Sequence, residues 1–62
     1  MKLRDWKSLE IDKVYWFADV LIKNIGEEYF FTKYREEEFW KPSYPDDEWY
    51  FKLRDTELIE EI

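Results

Sequence analysis

The sequence predicts an α+β fold: one long amphipathic helix packed on a small antiparallel β-sheet of about three strands, with a short C-terminal helix or tail. Three observations predict it. Apolar residues between Leu9 and Ile25 recur at helical spacing. Beyond Gly26 that spacing gives way to short aromatic runs of the kind strands use. And 62 residues suffice for one domain only, so helix and sheet must share a single core spanning residues 1–62.

The helix carries the clearest periodic signal. On a helical wheel Ile11, Val14, Tyr15, Ala18, Leu21, Ile22 and Ile25 fall on one face, with Asp12, Asp19 and Lys23 opposite. Ser8 stands where an N-cap is expected, and Gly26 where a C′ glycine ends a helix. Val14 to Ile22 also reads as a strand, because its even positions are all apolar. Ala18, Asn24 and Gly26 favour the helix.

Three strands are expected next. Glu27 to Lys33 is rich in aromatics, and Glu36 to Lys41 forms a second run. Between them Tyr34-Arg35 carries no turn residue, so a helix over residues 28–40 is the rival reading. Glu48 to Arg54 alternates best, with Trp49, Phe51 and Leu53 against Glu48, Tyr50, Lys52 and Arg54. The stretch Pro42 to Asp47 is expected to be a loop. Its prolines remove ladder donors and its aspartates bond local backbone. Although Pro42 to Pro45 is formally a PxxP segment, two prolines alone set little polyproline conformation. Asp55 to Ile62 is expected to be a short helix capped by Asp55. One tetrapeptide recurs: Lys2-Leu3-Arg4-Asp5 returns as Lys52-Leu53-Arg54-Asp55, read as a shared local solution and not as a duplicated domain.

Composition bounds the function. A single core in so short a chain supplies only a few kcal/mol, and small folds usually add disulfides, a metal or a partner chain. Here there is neither Cys nor His, but there are five Phe, five Tyr and four Trp. Aromatic bulk takes the place of staples, since each ring buries about 150–250 Å². Without Cys or His, nucleophilic triads lack their usual base, and no catalytic residue, cofactor or metal is expected. Glu36-Glu37-Glu38 and Asp46-Asp47-Glu48 are hard-oxygen clusters, but neither has the spacing or glycine of a calcium loop. The longest apolar run, Val14 to Ile22, is broken by Asp19 and is far short of the ~20 residues that span a bilayer. No membrane association is expected, and the cytoplasm is the expected location.

Charge is uneven. Residues 1–26 hold five basic and four acidic side chains, net +1, whereas residues 27–62 hold five basic and twelve acidic, net −7. Such a field repels phosphate and attracts basic protein surfaces. Period two allows only one of Phe39 and Trp40, and of Tyr50 and its neighbours, to face the core. Trp40 and Tyr50, with Phe30 or Tyr34, are therefore expected on an open face beside Glu36, Glu38 and Glu48. Trp16 and Val20 form a second candidate patch on the helix.

These features point to a non-enzymatic, acidic protein-binding module. The leading expectation is a stoichiometric inhibitor, a type common in phages and mobile elements, that mimics nucleic acid and occludes a basic groove, such as that of a nucleic-acid enzyme. Glu36, Glu37, Glu38, Asp46, Asp47 and Glu48 would steer, while Trp40 and Tyr50 would anchor. A structural or regulatory homo-oligomer using the aromatic face is the alternative. A single-strand nucleic-acid binder ranks last, because the rings lie in the region of net −7.

Overall fold

In the computed structural model, which describes residues 1–61, the segment expected to be a helix is a β-hairpin. Strand β1 (Val14–Phe17) pairs antiparallel with β2 (Val20–Asn24), placing Tyr15 opposite Ile22 and Phe17 opposite Val20. The residues that favoured a helix are turn devices. Ala18 opens the two-residue turn with φ 48°. Asn24, buried, donates from Nδ2 to the Leu9 carbonyl at 2.9 Å and accepts from the Gly26 N–H at 2.9 Å. Gly26 has φ 80°, which suits glycine. Burial explains the choice. A helix would leave Trp16 and Val20 on its polar side, whereas the hairpin buries Tyr15, Phe17 and Ile22 on one face and shields Trp16 and Leu21 on the other.

The sheet has five strands in the order β4-β3-β2-β1-β5, all neighbours antiparallel. Strand β3 (Phe30–Tyr34) follows a tight turn in which Glu27 (φ 56°) and Glu28 (φ 67°) are both left-handed and the Tyr29 N–H donates to the Gly26 carbonyl at 3.3 Å. Two successive positive φ values are those of a type I′ turn, set here within the five-residue connection between Asn24 and Phe30. Glu36 to Trp40, expected as strand, is a loop. Strand β4 (Lys41–Ser43) instead runs through the expected proline loop. A three-residue edge strand containing Pro42 resists further pairing.

The most regular expected strand, Glu48 to Arg54, is the helix α1 (Glu48–Leu53). Its alternation competes with a stronger local signal. Asp47 sits extended at the N-cap position, Glu48 lies in the first turn, and Glu48 pairs with Lys52 at 3.3 Å across one helical turn. The expected C-terminal helix is also absent among the described residues. Strand β5 (Ile59–Glu60) lies beside β1, with Leu58 in the core, and Ile62 lies outside the described residues. Among the described residues there is thus no long helix and the sheet has five strands, not three: the α+β expectation is corrected to a five-stranded antiparallel sheet with two short helical turns, Leu3–Ser8 (3-10) and α1.

The 3-10 turn and α1 supply the cover for the inner face of the sheet. Phe30, fully buried, is the hub, with ring centroids at 5.2 Å from Trp6, 5.7 Å from Trp49 and 6.3 Å from Tyr50. Leu3, Leu9, Tyr15, Phe17, Ile22 and Leu58 complete that cluster. The two copies of the recurring tetrapeptide touch. The Arg4 N–H donates to the Arg54 carbonyl at 2.7 Å, and the Arg4 guanidinium pairs with Asp55 at 2.7 Å. Among the described residues no helix is long and apolar enough to cross a membrane.

Candidate functional site

Strand connectivity divides the expected acidic face between opposite ends of the sheet. The loop 35–40 lies with the Ala18-Asp19 turn, to which it is tied by the Arg35 N–H donating to the Asp19 carbonyl at 3.0 Å. The segment 44–47 lies at the other end, with the Gly26 to Tyr29 turn, because Phe30 pairs with Ser43.

At the first end the loop is braced by Glu37. Its carboxylate accepts from the Tyr34 N–H at 2.7 Å and pairs with Lys41 at 3.5 Å, while its carbonyl accepts from Lys33 Nζ at 3.2 Å. The Tyr34 N–H bond, with the charges of Lys41 and Lys33, holds the Glu37 carboxyl below its ordinary range. Glu37 is therefore committed to the loop and is not a free steering charge. Glu36 and Glu38 are exposed and make no ion pair among the described residues.

Between these acids and Trp40 the structure inverts the expected choice of ring. Phe39 is 80% exposed, the most exposed large apolar residue described. Trp40 instead lies half-buried against the outer sheet face, its ring centroid 4.7 Å from Lys23 Nζ and 5.4 Å from Lys33 Nζ. Beside it Arg35 covers Trp16 at 4.8 Å. The rings of this face thus carry cations, not carboxylates, contrary to expectation. Tyr34 is exposed next to the loop, whereas Phe30, its expected equal, is core.

At the second end Asp46 is exposed and makes no ion pair among the described residues. Asp47 is structural: its carboxylate accepts from the Tyr44 N–H at 3.1 Å and from the Trp49 indole at 3.3 Å. Glu48 is held in its pair with Lys52. The expected anchor Tyr50 is 7% exposed, packed on Phe30, and burial pushes its phenol pKa up. Its place on an inward face of α1, not on an outward face of a strand, is the reason. Of the eight expected contact residues, Glu36, Glu38 and Asp46 remain free carboxylates, and none is an exposed ring.

Two concavities flank these ends. An apolar slot of about 250 Å³ opens between α1 and the inner sheet face, bounded by Phe17, Val20, Tyr34, Trp49 and Leu53. On its floor the hydroxyls of Thr32 and Ser43 satisfy each other at 2.7 Å. A wider cleft of about 430 Å³ lies at the second end, between Trp6 and Tyr44, with Glu27, Glu28 and Asp46 on it. Among the described residues no three acidic side chains are grouped closely enough to hold a metal ion.

Sequence reasoning missed Phe39, Glu27, Glu28 and Tyr44. For Phe39 a signal existed: a ring following three glutamates, with no strand partner once Pro42 is placed in β4. For the cleft none did, because Trp6 and Tyr44 meet only through the fold. Together these features define a small antiparallel β domain that displays free carboxylates beside exposed rings at both ends of its sheet. Comparison with protein-family models, curated proteins and solved structures finds no match to this chain.

Proposed function

We propose that this chain is a non-catalytic binding module that docks on a basic surface of another protein and occludes it. The observation that carries the reading is Phe39. A phenyl ring 80% exposed is costly in water, yet here it stands on a loop fixed by the Glu37 bonds and flanked by the free carboxylates of Glu36 and Glu38. An exposed ring beside free carboxylates is the arrangement of an interface anchor: the ring fills an apolar pocket while the acids speed encounter with a positive surface. Such a partner includes proteins whose grooves bind nucleic acid, which the carboxylates would imitate in sign. A soluble, cytoplasmic setting accords with the reading.

The test is capture. Immobilised wild-type protein and the variants Phe39→Ala and Glu36→Gln/Glu38→Gln are exposed to the same cell lysate and washed with rising salt. The expected result is a protein retained by the wild type, released by salt because charge steering is screened, displaced by nucleic acid, and absent from the Phe39→Ala eluate. Equal retention by all three proteins would exclude this loop as the contact.

A further inference from the structure

We infer that the apolar slot between α1 and the inner sheet face binds a small molecule: a single aromatic ring that presents an acceptor oxygen to the slot's floor. This site is separate from the Phe39 loop and does not depend on partner docking.

The floor carries the argument. Thr32 on β3 and Ser43 on β4 are 6% and 5% exposed, so both are more than nine-tenths buried. Both line the slot, and their hydroxyl oxygens lie 2.7 Å apart. That bond gives each oxygen a partner, yet it spends only one of the two hydroxyl protons. Whichever hydroxyl donates, the other keeps an O–H with no acceptor among the described residues. A buried donor left without an acceptor is destabilising. A hydroxyl hydrogen rotates to suit its partner, so this one can turn to a guest in the slot.

The walls set the rest of the guest. Phe17, Val20, Tyr34, Trp49 and Leu53 bound the slot with apolar surface. Its volume of about 250 Å³ lies below the roughly 300 Å³ at which drug-sized sites begin and above the roughly 150 Å³ that admits benzene. One ring with one small substituent fits that range. Charge points the same way as the floor. Among the described residues no Asp or Glu lines the slot, in a chain with sixteen acids. Lys41, opposite Thr32 in the β3–β4 register, holds its ammonium 5.7 Å from the Tyr34 ring centroid. An acceptor oxygen is favoured there, and a cationic guest is repelled.

The probes are acetophenone and α-methylstyrene, which differ only in a carbonyl oxygen against a CH₂ group, titrated into ¹⁵N-labelled protein. Acetophenone should bind with a Kd on the order of 1 mM, as a ligand of so few atoms allows. Shifts are expected at the amides of Thr32 and Ser43 and at the Trp49 indole. Thr32→Val/Ser43→Ala removes both hydroxyls at nearly constant shape, a change that folds tolerate. It should weaken acetophenone about fivefold, the net worth of one hydrogen bond at about 1 kcal/mol. α-Methylstyrene should stay within about twofold. Thr32→Ser keeps both hydroxyls and should keep the acetophenone affinity. Leu53→Trp fills the slot from a part-exposed position and should block both probes without touching the floor. Acetophenone shifts absent from the slot, equal changes for both probes in the double variant, or acetophenone binding unaltered by Leu53→Trp would overturn the inference.

Discussion

Replacing Glu27-Glu28 by Asn-Gly should stabilise the domain. Both glutamates are held left-handed, at φ 56° and 67°, in the turn that sets the β2–β3 register. That region costs an ordinary L-residue about 1–2 kcal/mol, and only Gly, Asn and Asp enter it readily. Glycine at 28 removes most of its share but adds about 0.4–1 kcal/mol of unfolded-chain entropy. Asparagine at 27 removes part of its share. The net gain is about 1–2 kcal/mol, before any relief of repulsion between the two carboxylates. In a domain of this size each kcal/mol moves Tm by about 4–8 °C. Thermal unfolding followed by circular dichroism should therefore show a rise of roughly 5–15 °C, and urea unfolding a higher midpoint at unchanged slope. An unchanged or lower Tm would mean that this turn is not the strained type I′ turn described, and the register argument would fail with it.

Other outcomes follow from the same structure. Phe30→Ala removes the hub of the core. Its expected cost of about 3–5 kcal/mol compares with a total of roughly 3–9 kcal/mol for a chain this short, so the urea midpoint should fall by roughly a third or more. Tyr50→Phe should cost under about 1 kcal/mol, because the hydroxyl's bond to the Arg4 carbonyl is long at 3.5 Å. The folded phenol lies above its ordinary 10.0 because of burial. The folded state thus holds that proton more tightly, and its stability contribution is complete below pH 10 and lost above it. Tyr50→Phe should blunt that alkaline decline in urea midpoint. Glu37 and Glu57 behave oppositely. The Tyr34 N–H and the N-terminal ammonium hold them below 4.5, so the stability they contribute is complete above that value and lost as pH falls through their folded pKa. Glu37→Gln should flatten part of the acid limb. Trp40→Ala should lower Tm, since the ring packs under Lys23 and Lys33, yet leave partner capture intact.

What was legible in the sequence depended on how local its cause was. The aromatic run Glu27 to Lys33 was legible as a strand from residue types alone, and Phe30 to Tyr34 is strand, but the sheet begins before Gly26, with β1 and β2. The hairpin from Val14 to Asn24 was not legible as such, because Val14, Ala18 and Ile22 belong both to the helical face and to the alternating even positions. The decision turned on Ala18, Asn24 and Gly26, whose roles as turn residues emerge only when Leu9 and β3 are in place. At Glu48 to Leu53 the local cap signal of Asp47 was present and was outweighed by alternation. The acidic loops were legible as charge, but not as free charge. Whether Glu37, Asp47 or Glu48 is spent depends on the Tyr34 amide, the Trp49 indole and the Lys52 ammonium that the fold supplies. Phe39 and Trp40 exchanged roles because residues 36–40 form a loop, where period two does not hold.

The most direct test of the account is the affinity of the purified captured partner for wild-type protein and for Phe39→Ala, measured by calorimetry at one salt concentration. As a central anchor, Phe39 should cost at least about 2 kcal/mol on truncation, roughly thirtyfold in Kd, with Tm unchanged because the ring touches solvent and not the core. Equal affinities would contradict the proposal that this loop is the binding surface.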